Sequence, residues 1–379
     1  MVRCGARIPT TKRNLKDVTN QSGLPSKDDP ASTSDPNLPY ARHDYDLYDF
    51  KIKEQIGRGA FATVHLVKFA PRNLQDVSQP AVSEKSYAMK ALRKKDIIAT
   101  KQIKHVMNEK TILENVRFPF IVELLATFQD IKHLYLVMEY IPGGDMFTLL
   151  RKRRRFPESV ARFYSSELVL ALEYLHSKKI IYRDLKPENI LIDVEGHIKI
   201  ADFGFAKTVS ETAQTFCGTP AYMAPEIILK TGYNKTVDWW SLGTLIYEML
   251  AGYSPFIAAT PLEIYENVLD GKISWSSQIG STSKDLLKHL IEMIPRKRFG
   301  AGHWPNETKE IKGHPWFAGV NWRSIEDKKI APPFTPKVTG TEDISNFDKY
   351  NEPSSVLEAA KGNVGKSEDG LYDEVFKDF

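Results

Sequence analysis

The amino-acid sequence predicts an α+β protein of two lobes, a small lobe made mainly of antiparallel strands and a large lobe made mainly of helices. Short segments in which polar and apolar residues alternate run from residue 48 to residue 141, which is typical of strands. After residue 146, apolar residues recur at helical spacing instead. The Pro-Gly-Gly-Asp break at 142–145 separates the two patterns, and we expect a ligand in the cleft between the lobes.

Shifts in composition indicate where each part of the chain begins and ends. The first part is polar and rich in proline, and it cannot bury enough apolar surface to become ordered. A second polar stretch, 70–85, is expected to be an enlarged surface loop between two strands. We predict the following bounds: a disordered extension at 1–43, a main domain at 50–317 with a small lobe at 50–137, a hinge at 138–144 and a large lobe at 145–317, and a C-terminal tail at 318–379.

Composition excludes several classes of protein. The net charge of +4 over 379 residues is too small to indicate nucleic acid as a partner. The two cysteines, Cys4 and Cys217, lie too far apart in sequence to indicate a disulfide framework, which favours a reducing compartment. No stretch approaches the roughly 18 apolar residues of a membrane helix, so we expect no membrane partner and a location in the cytoplasm or nucleus.

The first candidate site lies in the small lobe. Gly57 and Gly59 sit between two predicted strands, where their backbone amides could close over the phosphates of a nucleotide. Gly-x-Gly is also found in ordinary hairpin turns, but Lys90 on the next strand is spaced to reach those phosphates. Glu109 falls on the first helix predicted after Lys90; it is either a solvated surface residue or the counter-charge of that lysine, which we favour.

The stretch at 182–204, YRDLKPENILIDVEGHIKIADFG, follows a helix predicted from Glu158 to Ser177. Its loop and hairpin would place a proton acceptor, a cation that faces phosphate and two oxygen ligands for Mg²⁺ at fixed separations. These four residues are Asp184, Lys186, Asn189 and Asp202. The pattern predicts a phosphotransferase.

The ordered motifs GRGAFATV, YAMK, YRDLKPEN, DFG, APE and DWW resemble those of eukaryotic protein kinases. KQIKHVMNEK, MEYIPGGDMF, CGTP, NFDKY and the final FKDF are similar to the AGC group of Ser/Thr kinases, and within it to the catalytic subunits of the cAMP-dependent family. The resemblance implies a two-lobed protein kinase fold with one regulatory helix in the small lobe and an AGC-type tail. It also implies ATP and Mg²⁺ as cofactors.

Site roles follow from the resemblance, residue by residue. Asp184, Lys186, Lys90 and Glu109 are implied to be catalytic, and Asn189 and Asp202 to hold the metal. Thr215 matches an activation-loop phosphothreonine, although a threonine taken at random would be an exposed loop residue; His105, Arg183 and Lys207 match the cations that bind it. The positions implied to contact ATP are Gly57, Gly59, Val64, Ala88, Lys90, Met138, Glu139, Ile141 and Asp145.

The resemblance also implies a peptide site that selects basic residues before the phosphoacceptor, through pairs of arginine with carboxylate. Asp145 has a second interpretation as a helix cap, and both can hold. The basic run 151–155, which includes Arg151, is interpreted as a solvated helix face rather than a nuclear-import signal. The implied peptide contacts are Asp145, Arg151, Glu188, Phe216, Pro220, Met223 and Glu248. Structural roles are implied for the ion pair of Glu226 with Arg298 and for the terminal rings Phe376 and Phe379, which should fold back and become buried.

Three positions depart from the family pattern. Ala62 replaces the third glycine of the phosphate loop, and Ala221 stands where a glutamate is usual, which removes one acidic contact to substrate arginines. Gln214 replaces a tryptophan that commonly contacts a cAMP-binding regulatory subunit, the candidate protein partner. The alternatives are another AGC kinase without that control, a kinase-fold scaffold, and a small-molecule phosphotransferase. Lys90, Asp184 and Asp202 are all present, which counts against a scaffold.

Overall fold

The computed structural model describes residues 45–70, 85–209, 213, 215, 217–302, 306–350, 356, 372 and 374–379. The predicted extension at 1–43, nearly all of the predicted loop at 70–85, and residues Gln214 and Phe216 lie outside the described residues. None of the helices within the described ranges is long and apolar enough to cross a membrane.

In the described part of the small lobe, 45–70 and 85–139, the chain forms a five-stranded antiparallel sheet with two α-helices. Its strands lie in the order β1-β2-β3-β5-β4. Buried aromatic and aliphatic side chains, among them Phe50, Val67 and Tyr135, form a core on one face of this sheet. Its elements are β1 (Phe50–Arg58), β2 (Ala62–Phe69), β3 (Ser86–Arg93), α1 (Lys94–Ala99), α2 (Ile103–Asn115), β4 (Leu124–Gln129) and β5 (His133–Glu139).

One detail of the predicted small lobe was wrong. We expected Glu109 on the first helix after Lys90, but the short helix α1 comes first and Glu109 lies on α2. Six residues with only two buried side chains, Lys94 and Ile97, are too few to show a periodic apolar face in the sequence.

The large lobe is mainly helical, as the sequence predicts. Its centre is α6, in which both tryptophans, Trp239 and Trp240, are fully buried. The predicted helix from Glu158 to Ser177 is present with those bounds and packs against α6. The helices are α3 (Met146–Arg153), α4 (Glu158–Ser177), α5 (Pro225–Ile228), α6 (Thr236–Ala251), α7 (Pro261–Asp270), α8 (Ser281–Leu290), α9 (Lys309–Lys312) and α10 (Trp322–Glu326).

Two short antiparallel ribbons lie on the side of the large lobe that carries the predicted site. One joins β6 (Ile180–Ile181) to β9 (Lys207–Thr208), and the other joins β7 (Ile190–Ile192) to β8 (Ile198–Ile200). The loop before β7 holds Asp184 to Asn189, and the loop after β8 holds Asp202. The two ribbons therefore set the separation of these loops. The α+β fold class with two lobes is confirmed.

Candidate active site

The loop between β6 and β7 brings three predicted residues into direct contact. The ammonium of Lys186 lies 2.7 Å from Oδ2 of Asp184. The side-chain amide of Asn189 donates both to that oxygen, at 2.8 Å, and to the backbone carbonyl of Asp184, at 2.9 Å. Pro187 begins a turn of 3₁₀-helix that ends at Asn189, and this turn points the amide back at the aspartate.

Asp184 is almost completely buried, and its second oxygen is also occupied. The hydroxyl of Thr219 donates to Oδ1 of Asp184 at 3.1 Å, and it accepts a hydrogen bond from Lys186 at 3.0 Å. Burial raises the pKa of Asp184, although Lys186 and Asn189 oppose that effect. A carboxylate with a raised pKa and an oriented oxygen is suited to accept a proton. Thr219 is a site residue that sequence reasoning missed; the only signal was its place in the CGTP motif.

Across the cleft, Lys90 lies between two carboxylates. Its ammonium donates to Oε1 of Glu109 at 2.7 Å and to Oδ1 of Asp202 at 3.2 Å. Burial works against the charged form of Lys90, but Asp202 and Glu109 outweigh it and raise the pKa of the lysine. Lys90 in turn lowers the pKa of Asp202, while burial raises the pKa of Glu109. The structure thus joins strand β3, helix α2 and the loop after β8 through one cation.

Asp202 and Asn189 present oxygen atoms that suit a hard divalent cation. Both amide hydrogens of Asn189 go to Asp184, so its oxygen is the atom left for a ligand. The side chain of Asp202 is half exposed, and its backbone has φ of 55°. A left-handed backbone at a residue other than glycine costs roughly 1–2 kcal/mol, and such strain is common at functional sites. Carboxylate and amide oxygens are ligands that Mg²⁺ accepts.

The sheet register places the predicted nucleotide contacts of the small lobe together. Val64 pairs with Lys90, and Ala88 pairs with Met138, so these four side chains share one face of the sheet. A Cβ atom on Gly57 would lie 3.2 Å from Cβ of Val64, which is too close for an ordinary contact. At Gly59, the backbone amide donates to the carbonyl of Ala62 at 2.8 Å and closes the turn.

The hinge is held by charged groups of both lobes. Glu139 accepts a hydrogen bond from Lys199 of β8 at 2.6 Å and another from the backbone amide of Glu123 at 2.9 Å. Ile141 is buried beyond it. Asp145 caps α3, because its carboxylate accepts from the amide of Thr148 at 2.7 Å. The cap interpretation of Asp145 is confirmed, and its contacts with nucleotide and peptide stay predictions.

The predicted activation cluster is assembled around Arg183. Burial, together with the nearby charges of Arg183 and Lys207, lowers the pKa of His105, so both of these cations lie within electrostatic reach of His105. Arg183 donates to the hydroxyl of Tyr233 at 2.8 Å, and that hydroxyl donates to the backbone carbonyl of Thr215 at 2.8 Å. Tyr233 links the cation to the predicted phosphosite, and sequence reasoning missed it.

Acidic positions predicted for the peptide also lie together. Burial raises the pKa of Glu248, and the negative charge of Glu188 raises it further. The hydroxyl of Tyr222 donates a hydrogen bond to the carboxylate of Glu248, which lowers that pKa. The positive charge of Arg151 also lowers the pKa of Glu248. The guanidinium carbon of Arg151 lies 4.3 Å from the ring centre of Phe147. Pro220 begins the 3₁₀ turn that contains Tyr222, and Met223 at its end is buried. Phe216 lies outside the described residues.

The four positions with predicted structural roles are all buried. Arg298 donates to both oxygens of Glu226, at 2.6 and 3.0 Å. Phe376 and Phe379 of the tail belong to the main hydrophobic core. The carbonyl of Phe376 accepts from Gln129 of β4 at 2.9 Å, which fixes the end of the tail to the small lobe.

Comparison with known proteins agrees with this site. The model of the Protein kinase domain family matches residues 50–317. The chain is 46% identical over 337 residues to the cAMP-dependent protein kinase catalytic subunit of Arthrobotrys oligospora, covering 88% of this chain and 61% of that protein. It is 46% identical over 337 residues to the corresponding subunit of Schizosaccharomyces pombe, covering 88% and 62%.

A third relative, the cAMP-dependent protein kinase catalytic subunit PRKX of Mus musculus, is 44% identical over 323 residues, covering 85% of this chain and 87% of the relative. The chain spans about three fifths of the length of the first two relatives. Since the family match covers well over half of this sequence and includes every residue of the cleft described above, the chain belongs to the protein kinase domain family.

Proposed function

We propose that this chain is a Ser/Thr protein kinase that transfers the γ-phosphate of ATP to proteins with basic residues before the phosphoacceptor. The observation that carries the proposal is that two clusters of charged residues, one around Asp184 and one around Lys90, face the same cleft. Asp184, with Lys186 and Asn189, supplies a buried and oriented proton acceptor. Lys90, held by Glu109 and Asp202, supplies a fixed cation. A scaffold that only binds would have no need of either arrangement.

The reaction that these groups support is a balanced transfer. The hydroxyl oxygen of the substrate forms a bond to the γ-phosphorus as the bond from that phosphorus to the β-bridging oxygen breaks, leaving ADP. The proton of the hydroxyl passes to a carboxylate oxygen of Asp184. Lys186, whose ammonium lies 2.7 Å from that carboxylate, neutralises charge on the group in transfer.

The metal ligands of this proposal are the side-chain oxygens of Asn189 and Asp202. When bound, Mg²⁺ supplies positive charge to the phosphates of ATP. Lys90 holds Asp202 in place for that purpose, and Glu109 keeps Lys90 extended. The adenine would lie against the backbone of the hinge at 138–144, under the face that carries Val64 and Ala88.

Substrate choice and activation belong to the same proposal. Glu188 and Glu248 would pair with arginines before the phosphoacceptor, and the burial of Glu248 favours a charged partner for it. Phosphorylation of Thr215 would place a dianion among His105, Arg183 and Lys207, which order the loop. The relatives named as cAMP-dependent catalytic subunits support a cAMP-binding regulatory subunit as partner. The proposed location, the cytoplasm or nucleus, rests on the two widely spaced cysteines, which favour a reducing compartment.

The test is transfer of ³²P from Mg²⁺-ATP to a peptide of the form Arg-Arg-x-Ser, with a matched peptide in which alanine replaces both arginines. Wild-type protein should phosphorylate the first peptide far better than the second, and Asp202→Ala should phosphorylate neither. Absence of transfer by wild-type protein that carries phosphate on Thr215 would favour a scaffold. Equal rates on both peptides would refute the basic preference.

Two further experiments address regulation. Mass spectrometry of active protein should find phosphate on Thr215, and Thr215→Ala should lose most of its activity; full activity of this variant would refute activation at that residue. A cAMP-binding regulatory subunit should capture the chain without cAMP and release it when cAMP is added. Failure of capture would favour an AGC kinase under different control.

A further inference from the structure

A buried charged network lies behind the catalytic loop, and it begins at Asp238 in the first turn of α6. The carboxylate of Asp238 accepts from the backbone amide of Tyr182 at 2.9 Å and from that of Arg183 at 2.8 Å. These amides immediately precede Asp184. Arg183 also has φ of 69°, a left-handed backbone that needs contacts from elsewhere to persist. The orientation of Asp238 therefore sets the backbone from which Asp184 projects.

His176, in the last turn of α4, connects Asp238 to a more distant residue. Its Nε2 lies 2.7 Å from Oδ2 of Asp238, and its Nδ1 lies 2.5 Å from Oε1 of Glu307. Both ring nitrogens face carboxylate oxygens, which only accept hydrogen bonds, so the ring donates from both nitrogens and carries a positive charge. The side chains of His176 and Asp238 are completely buried.

Glu307, which lies just before α9, completes the network. Its Oε1 also accepts from the indole of Trp239 at 3.0 Å, and its Oε2 accepts from the ammonium of Lys235. The network thus holds two positive side chains, His176 and Lys235, and two negative ones, Asp238 and Glu307. Charges facing His176 come from Asp238 on α6 and from Glu307, with Lys235 behind Glu307.

We propose that Glu307 is a positioning residue for phosphoryl transfer. Glu307 orients His176, and His176 in turn orients Asp238. Asp238 holds the backbone amides of Tyr182 and Arg183, which fixes the direction in which Asp184 projects. The inference rests on the kinase activity proposed above. No motif of the sequence points to Glu307, which lies far from His176 and Asp238 along the chain.

The physical reason lies in the burial of the imidazole. Burial disfavours a charged ring, and the two carboxylates Asp238 and Glu307 outweigh that effect, raising the pKa of His176 from 6.5 to about 9. If Glu307 loses its charge, one of the two compensating carboxylates is gone and the ring becomes neutral at lower pH. A neutral ring has a single N–H, so it can no longer donate to both partners.

The test compares Glu307→Gln with wild type and with Glu310→Gln, an exposed glutamate of α9 that serves as matched control. Peptide phosphorylation is measured from pH 6 to pH 10. Glu307→Gln should lower kcat roughly ten-fold with little change in KM, and its alkaline loss of activity should begin at least roughly one pH unit lower. Glu307→Asp, which keeps the charge, should move the alkaline limb less. A purely structural role would not shift the pH profile.

Hydrogen exchange at the Tyr182 and Arg183 amides separates this inference from the proposed function, since it needs no activity. Exchange there should be roughly ten-fold faster in Glu307→Gln than in wild type, and unchanged in Glu310→Gln. If wild-type protein transfers no phosphate, the proposed function fails while exchange still tests the network. Unchanged exchange together with an unchanged pH profile would overturn the inference. If Glu307→Gln does not fold, Lys235→Met serves in its place, since it removes another partner of Glu307 but leaves the Glu307 charge. Exchange at the Tyr182 and Arg183 amides should then still be faster than in wild type, and unchanged exchange would overturn the inference.

Discussion

Arg298→Ala is expected to destabilise the large lobe by about 4 kcal/mol, because it leaves a carboxylate buried without its partner. Arg298 is almost completely buried and donates to both oxygens of Glu226, at 2.6 and 3.0 Å. It also donates to the backbone carbonyls of Glu292 and Thr236, each at 3.0 Å. Its guanidinium lies 5.1 Å from the ring centre of Trp240, so packing is lost as well.

The magnitude follows from these contacts. Breaking a buried ion pair by removing one partner costs about 3–5 kcal/mol, since the remaining charge keeps its desolvation penalty. Glu226→Gln keeps a carbonyl oxygen that can still accept from Arg298, and we expect a smaller loss of about 2 kcal/mol. The double variant Arg298→Met with Glu226→Leu removes both charges together, so it should be more stable than Arg298→Ala.

Equilibrium unfolding in urea, followed by tryptophan fluorescence, measures these differences. Arg296→Ala is the matched control, because Arg296 lies two residues away and is exposed. Its stability should lie within about 0.5 kcal/mol of wild type. If Arg298→Ala falls within about 1 kcal/mol of Arg296→Ala, the ion pair does not contribute as reasoned.

Three other predictions concern the cleft, the tail and pH. Asp184→Asn should lower kcat by roughly 10² to 10⁴ in steady-state kinetics with little change in stability, and a loss under ten-fold would contradict a role as proton acceptor. Phe376→Ala should lower stability by about 3 kcal/mol in thermal unfolding, whereas the exposed neighbour Val375→Ala should not; equal effects would mean that the buried ring is not what holds the tail. The folded-state pKa of His176 is raised from 6.5 to about 9, so its contribution should be complete below pH 6.5 and lost as pH rises through about 9. The shift corresponds to about 3 kcal/mol, measured as the difference in urea stability between wild type and His176→Gln; a difference that does not change over that pH range would refute it.

The sequence could predict those contacts of the candidate site whose residues lie close together along the chain, or in which one residue needs a partner of opposite charge. Asp184, Lys186 and Asn189 share one loop of six residues, so contact among them is almost unavoidable. The pair of Lys90 with Glu109 is predictable because a lysine that reaches phosphates needs a counter-charge to hold it extended. The helix that carries Glu109 is nevertheless the second after Lys90 rather than the first. Burial of the terminal rings followed from their apolar character on a polar tail.

Other contacts could not have been predicted, because they depend on how distant elements pack. Thr219 reaches Asp184 only because the segment 217–219 lies against the loop that holds Asp184 to Asn189. Tyr233 lies between Arg183 and Thr215 through the antiparallel bridge that pairs Tyr233 with Ala213. A hydroxyl in a loop has no periodicity or spacing that distinguishes it from a solvated one.

By itself, the sequence determined the fold class, the order of the lobes and the identity of the polar groups that meet in the candidate active site. These depend on the period of apolar residues and on motifs whose members lie close together along the chain. Only the tertiary structure decided that Glu307, His176 and Asp238 form one buried network behind Asp184. Hydrogen bonds reach about 3 Å, and only the packing of α4, α6 and the segment before α9 brings those three side chains within that distance.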